Sequence, residues 1–409
     1  MFGRRRFLEG SAGLGVALTV GCGGGGGGNK NEWLVGSYLS LTGGESKFGE
    51  DTKRGIELAI EEINGAGGVK SKPIKVIFED DKSKVEEATQ KVQQLIDRDK
   101  VIAVLGEIAS SISKPAAIIC NQKKVPMITP SSTHPDVTKT GEYAFRVCFT
   151  DDFQGKAGAD FCVKSLGKKK IGLMFAENDL YSQGLAAEFK KGVEAAGGEI
   201  VVEKKFTKDE SNFTTYIKGV KDSGAEVVYC PIYYKQMTQI WRQAKAEGMT
   251  GDQFVGGDGW SGDDQLLKEL EGGYFTDHYA PDIPSEKSKK FVEAFKKKFN
   301  QTPSSLAACG YDAAMVLADS IKRAKEDTPK GIRDAIAETK DFAGATGSIT
   351  INKDRDADKA IVFVQIKGGT TTFKAAVGPG AEKLGGGGEP PATSETAAPA
   401  DSAAPAASG

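Results

Sequence analysis

Histidine is nearly missing from this 409-residue chain, which has His134 and His278 and no others. Two rings on distant segments cannot form a histidine-rich metal site, and they leave acid–base catalysis few candidates. A Cys-X-X-Cys pair, a Gly-X-X-X-X-Gly-Lys phosphate loop and a Gly-X-Ser-X-Gly elbow are also absent. Their absence removes thioredoxin-type redox chemistry, P-loop nucleotide hydrolysis and the α/β-hydrolase nucleophile from consideration. Neither sign of charge is in excess, with 54 Lys and Arg interspersed among 56 Asp and Glu. Such a surface has no basic stripe for nucleic acid and no polyacidic arm. The expectation is no metal, no cofactor, no catalysis and no nucleic-acid partner, in a protein that deals with small molecules.

What is present begins with two unfolded ends. Arg4-Arg5-Arg6-Phe7-Leu8 precedes a weakly apolar run from Ser11 to Gly21 and then Cys22. A positive start, a short apolar stretch and small residues before a cleavage point make an export signal. The run is far below the ~20 residues of a membrane span. Arg5-Arg6-Phe7-Leu8 resembles a twin-arginine signal, and Thr19-Val20-Gly21-Cys22 an imperfect lipoprotein cleavage box, with Cys22 as the lipidated residue. Residues 1–22 are thus an export signal, and 23–31 a glycine-rich tether. Residues 379–409, rich in Gly, Ala, Pro, Ser and Thr, are a tail that cannot bury enough apolar surface to offset its ordering entropy.

Between the ends, apolar strand-like runs alternate with helical spacing. Strands are expected at 33–38, 74–78, 101–105 and 125–129, separated by helices at 51–64, 85–96 and 111–121. A second set has strands at 171–175, 199–202, 227–230 and 254–256. Helices then run from 287 to 338, and a last strand pair lies at 348–351 and 360–374. Buried runs joined by helices imply doubly wound parallel sheets. Two such sheets with leftover elements at the end imply two lobes between which the chain passes more than once. Ligands in such sheets bind outside the carboxyl ends of the strands, so a cleft between the lobes is the expected site.

Several stretches resemble one family. Leu41-Thr42-Gly43, Gly49 with Gly55 and Ala59, Ile63-Asn64, Gly67-Gly68-Val69, the run from Tyr229 to Ala244 and Gly310-Tyr311-Asp312-Ala313 resemble leucine/isoleucine/valine-type periplasmic binding proteins of ABC transporters, over residues 33–375. The resemblance implies a two-lobed α/β fold of the type I periplasmic binding class, each lobe a doubly wound parallel sheet flanked by helices, with three hinge crossovers. These are expected near 149–150, 276–277 and 342–347. Lobe 1 would then be 32–149 plus 278–341, and lobe 2 would be 150–277 plus 342–378.

The resemblance also carries site residues. Ser110 would hold a ligand carboxylate by hydroxyl and amide, aided by the positive end of the helix it opens. The Ser132 carbonyl and Thr133 hydroxyl would meet an ammonium, with the Thr133 amide serving the carboxylate. Asp258 would pair with the ammonium as the one full negative charge there. Tyr181 and Tyr233 match aromatic positions of the second lobe, and Phe48 one lining the side-chain pocket. Taken alone, Ser110 suits a helix start, Asp258 between glycines suits a turn, and the two tyrosines suit packing. Trp260 fits a pocket cap or a surface loop, and His134 before Pro135 reads as a solvated loop tip. A disulfide that the family often has, joining the region near Asp81 to the position of Ala109, has no cysteine here at either place. The five remaining thiols, Cys120, Cys148, Cys162, Cys230 and Cys309, permit no assigned pairing.

The function implied is capture of an amino acid, branched-chain or similar, for the membrane permease of an ABC importer. The protein would work in the periplasm or at the cell exterior, held to a membrane through Cys22. A ligand-sensing module, or a binder of amides, urea or short carboxylates, is the alternative on the same fold. An envelope enzyme using His134 is a third. If Cys22 carries lipid, the wild-type protein partitions into the detergent phase and Cys22→Ala does not; a freely soluble wild type removes the anchor. Replacing Arg5 and Arg6 by Lys should block export if the twin-arginine signal is real.

Overall fold

Glycines set how closely the first helices can approach the strands and one another. The computed structural model describes residues 31–385, so the export signal, Cys22 and most of the tail lie outside the described residues. The first sheet is built from β1 (Trp33–Leu39), β2 (Ile74–Asp80), β3 (Ala103–Leu105), β4 (Met127–Thr129) and β5 (Ala144–Arg146). Its order is β2-β1-β3-β4-β5, all parallel. The connecting helices are α1 (Ser46–Gly65), α2 (Val85–Asp97) and α3 (Ser110–Lys123). Central β1 is buried nearly throughout, as a strand covered on both faces must be. Strand β5, three residues long, has no counterpart among the expected strands.

The chain crosses after Phe149 into α4 (Asp151–Asp160), β6 (Lys170–Ala176), α5 (Leu180–Ala195), β7 (Glu199–Phe206), α6 (Thr214–Asp222), β8 (Val227–Cys230), α7 (Tyr234–Ala246), β9 (Phe254–Gly256), α8 (Asp264–Glu269) and β10 (Tyr274–Asp277). It returns at His278 to supply α9 (Glu286–Phe299), α10 (Ser305–Arg323) and α11 (Pro329–Ala337), with α10 packed along α1. Strands β14 (Ile361–Lys367) and β15 (Thr370–Val377) complete a second sheet ordered β15-β14-β10-β9-β8-β6-β7. This sheet is parallel except at β14 and β15, which run antiparallel.

The third crossing lies later than 342–347. Residues β11 (Phe342–Gly344), β12 (Gly347–Ile351) and β13 (Ala357–Asp358) form a small antiparallel sheet fastened to the first lobe. The Arg146 amide donates to the Arg355 carbonyl at 3.1 Å, and the Arg146 guanidinium meets Asp356 at 2.6 Å. Asp312 of α10 accepts from the amides of Ala345 and Thr346 at 2.7 and 2.9 Å. The passage is therefore at Lys359–Ala360, and 342–358 belongs with lobe 1 rather than lobe 2. The Gly-rich segment looks like a connection in sequence because the partners that anchor it lie 30 to 210 residues away.

Helix α1 starts at Ser46 rather than 51, so Phe48 stands in its first turn. Its contact with α10 is backbone against backbone. A Cβ on Gly55 would lie 1.9 Å from the Ala307 carbonyl oxygen, and one on Gly310 would lie 2.4 Å from that of Thr52. Alanine normally favours a helix interior by about 1 kcal/mol over glycine. Here a clash with backbone must reverse the sign. Gly55→Ala should destabilise by about 1–3 kcal/mol, read as a lower urea midpoint at unchanged slope. A raised midpoint would mean that α1 and α10 are not in this contact.

Candidate functional site

Every ligand-site residue expected from sequence follows the carboxyl end of a strand or opens a helix there. In the first lobe, β3 leads through 106–109 into Ser110, the buried first residue of α3, whose hydroxyl accepts from the His134 amide at 3.3 Å. After β4, Ser131 and Thr133 follow, both buried. The Thr133 hydroxyl lies beside the Asp151 carboxylate without a well-directed hydrogen bond. Arg146, fully buried at the end of β5, donates to the carbonyls of Ser132 and His134, the latter at 2.8 Å. It thereby clamps the chain on both sides of Thr133.

Ser132 needs correction. Its carbonyl is already engaged by Arg146 and by the Cys148 thiol at 3.4 Å. Its hydroxyl sits 2.7 Å from the Ile108 carbonyl and 2.7 Å from Ser113 Oγ. Ser132 ties the two loops together and has no carbonyl lone pair left for an ammonium.

The second lobe presents a stacked pair of phenols. Tyr181, in the first turn of α5, and Tyr233, at the N-cap of α7, have centroids 5.0 Å apart and planes 4° from parallel. The Tyr181 hydroxyl accepts from the Gly259 amide at 3.0 Å. Phe48 reaches across from the first lobe and meets Tyr233 edge-on at 5.3 Å and Tyr234 at 5.0 Å. Edge-to-face rings at this spacing are favourable beyond their buried area.

Asp258 begins a single 3-10 turn (Asp258–Trp260) after β9 and is 5% exposed. Its amide donates to Gln154 Oε1 at 2.9 Å, and its Oδ2 lies 3.1 Å from His278 Nε2. His278 Nε2 is also 2.9 Å from the first-lobe Ser131 Oγ, and Phe149 covers the ring at 4.1 Å. Burial lowers the His278 pKa, against the pull of Asp258. A neutral ring with its hydrogen on Nε2 suits a carboxylate acceptor. Nor is Asp258 the sole carboxylate. Asp151 is fully buried beside it, its pKa pushed well above the usual carboxylate range by burial and then by Asp258.

Thr133 Oγ1, Tyr233 OH and Asp258 Oδ1 are among the buried atoms without partners, as are Asp151 Oδ2 and His278 Nδ1 beside them. Buried polar atoms are nearly always bonded, so these atoms on loops of both lobes are available to a polar ligand. Hydroxyls and a helix N-terminus serve an anion, Asp258 serves a cation, and the rings serve an apolar group.

Two neighbouring expectations change. Trp260 is neither cap nor surface residue: it is fully buried, its indole donating to the Cys230 carbonyl at 3.0 Å. His134 is not a solvated tip. Its Nδ1 accepts from the Asp136 amide at 3.1 Å, and its ring packs so closely on Gly184 of the other lobe that a Cβ there would lie 2.4 Å from Cδ2. Burial takes its pKa down to about 4. The five described cysteines are free and buried. His278, Ser131, Arg146, Gln154 and Asp151 escaped the sequence reading. For His278 a signal existed: it directly follows the apolar run Tyr274-Phe275-Thr276, where a strand would end at the cleft.

The lobes meet at the cleft mouth. Lys208, after β7, pairs with Glu45, before α1, at 2.6 Å and lies 3.7 Å from Asp179. The Tyr234 hydroxyl donates to the Gly44 carbonyl at 3.2 Å.

Residues 32–371 match the family described as periplasmic binding protein. An amino acid binding protein of Pseudomonas aeruginosa is 35% identical over 219 residues, 53% of this chain and 58% of that protein. The chain thus spans little more than half the length of that relative. Solved structures match over more. The leucine binding protein LivK of Thermotoga maritima has 35% identity and a TM-score of 0.79, covering 85% of this chain and 99% of that one. The branched-chain amino acid transporter substrate binding protein LivJ of Streptococcus pneumoniae, solved with isoleucine, has 30% identity and a TM-score of 0.79, covering 85% and 100%.

The mouth contact is testable without a ligand. Because Glu45 is mostly buried, its pairing with Lys208 should reach the upper end for such ion pairs, about 1 kcal/mol. A double-mutant cycle with Glu45→Gln and Lys208→Met should return that coupling, shrinking with added salt. Zero coupling at low salt would leave the contact without energetic weight.

Proposed function

The chain belongs to the periplasmic binding protein family, an extracytoplasmic class, and from that premise we propose that it captures an α-amino acid, branched-chain or similar, between its lobes for the permease of an ATP-driven importer. The observation that carries this reading is that buried polar atoms of both lobes lack partners, Asp258 Oδ1 and the Tyr233 hydroxyl on the second and the Thr133 hydroxyl on the first. A zwitterion entering a dry cleft loses several kcal/mol per unmatched charge. Its carboxylate is met by the Ser110 and Thr133 hydroxyls and the amino end of α3. Its ammonium meets Asp258 Oδ1, while His278 and Gln154 hold that carboxylate and its backbone in place. Phe48 and Tyr233 supply the apolar wall for the side chain. With first-lobe groups on one charge and Asp258 on the other, ligand contacts both lobes only when they close, which biases the open–closed equilibrium. The protein catalyses nothing in this reading: it binds and delivers. Cys22, outside the described residues, serves as the lipid anchor that keeps it near its permease.

Calorimetry with isoleucine and leucine tests the site. Asp258→Asn keeps an acceptor for His278 but removes the charge, so binding should weaken by about 3–5 kcal/mol, a hundred- to several-thousand-fold at ~1.4 kcal/mol per decade. Ser110→Ala should cost about 1.5–3 kcal/mol, one hydrogen bond to a charged group. Asp264→Asn, on an exposed helix start, is the neutral control. Wild-type affinity in Asp258→Asn would transfer the assignment to an amide, urea or carboxylic acid ligand.

A further inference from the structure

Below the loop that leads to Ser110, two acids outside the set above share one serine. Ser40 follows β1, Asp81 follows β2 and Glu107 follows β3, so adjacent strands bring them together. Ser40 Oγ lies 2.8 Å from Asp81 Oδ1 and 2.6 Å from Glu107 Oε1, and all three residues are fully buried. A hydroxyl has one hydrogen, and an ionised carboxylate has none to give. Ser40 can donate to one acid alone, so the other contact requires a hydrogen on a carboxyl oxygen. The surrounding bonds indicate which acid carries it. Asp81 Oδ1 also accepts from the Ser83 amide at 2.9 Å, as an anion would. Glu107 Oε2 accepts from the amides of Ile108 and Ala109, the latter at 3.2 Å. That leaves Glu107 Oε1 to carry the hydrogen, donating to Ser40, which donates to Asp81.

We propose that Glu107 is a positioning residue for the ligand loop: as a neutral acid sharing its proton through Ser40 with Asp81, it holds the turn of Ile108 and Ala109 that aims Ser110 at the ligand carboxylate. Loss of the proton places two charges on one serine beneath an anion site, and the loop and the ligand both weaken. The proposal rests on the amino-acid reading above for the ligand but not for the proton.

Burial, then the neighbouring Asp81 charge, raises Glu107 to about 8. Burial likewise raises Asp81. A carboxyl raised in the folded state contributes stability that is present below its ordinary value and lost as pH climbs through the raised one. The other groups facing the pair are Asp80 and Glu45 beside Asp81, the Tyr38 phenol beside Glu107, and Lys208 and Tyr233 from the second lobe. Lys208 is bound to Glu45 and is itself raised. Tyr38 and Tyr233 are held neutral by burial.

Isoleucine affinity of the wild type should hold through neutral pH and then fall by up to about tenfold per pH unit above about 8. Glu107→Gln, whose amide can donate to Ser40 and accept from the loop, should match wild type at neutral pH and lose that protein-borne fall. Because the same ligand is titrated against both proteins, any difference between the profiles belongs to the protein. Asp81→Asn should flatten the profile as well, by removing the second charge, and serves if Glu107→Gln does not fold. Infrared difference spectra of the ligand-free wild type minus Glu107→Gln should show a protonated-carboxyl band that bleaches with rising pH. That band separates the two failures. Its presence without isoleucine binding refutes the ligand and not the proton. Its absence, or parallel pH profiles in wild type and Glu107→Gln, overturns the proposal.

Discussion

A carboxylate removed from water must be matched, and Asp258, 5% exposed between two lobes, is the charge around which the cleft is organised. Each of its neighbours answers part of that demand. Gln154 fixes the backbone amide, and His278 takes one oxygen. Asp151 stands beside it, its pKa pushed well above the usual carboxylate range by burial and then by Asp258. One oxygen is left over. In the proposed reading a ligand ammonium completes that shell, so the same constraint that makes Asp258 costly in isolation would make it selective. The His278 ring also touches Ser131 of the opposite lobe at 2.9 Å, so the environment of the charge is set by both lobes at once.

The crossings are built from buried polar relays rather than loose connections. At the third, the Lys359 ammonium donates to the Thr346 hydroxyl at 2.5 Å, and that hydroxyl donates to Asp312 at 2.6 Å. Asp312, part of the Gly310-Tyr311-Asp312-Ala313 stretch, thus fastens the strap that returns to the second lobe. Phe149 and His278 occupy the first and second crossings, and their rings pack at 4.1 Å with planes tilted by 32°.

Arg146 has a similar organising part on the ligand side. Its guanidinium holds the Ser132 and His134 carbonyls and Asp356, joining the ligand loop to the strap through one buried cation. The aromatic wall completes the cleft from both sides, since Phe48 comes from the first helix of one lobe and the tyrosine pair from the other.

The alternation of apolar runs with helical spacing determined two parallel α/β sheets, because parallel strands buried on both faces need continuous apolar sequence. The strand ends followed from the same pattern, whereas the choice of Ser110, Thr133, Tyr181, Tyr233 and Asp258 on the segments beyond them rested on the resemblance to the periplasmic binding proteins. Local sequence did not determine which polar atoms on those loops would be used internally. The Ser132 carbonyl was lost to an arginine 14 residues on. Trp260 was drawn into the core, and 342–358 was bound to lobe 1 by Asp312 and Arg146. His278, a lone ring in the sequence, became the partner of the cleft charge. Glu107 and Asp81 became one proton-sharing pair because β1, β2 and β3 lie side by side. Periodicity reports which faces are buried and where strands end. Hydrogen-bond assignment among distant buried groups depends on three-dimensional proximity, which only the packed lobes supply.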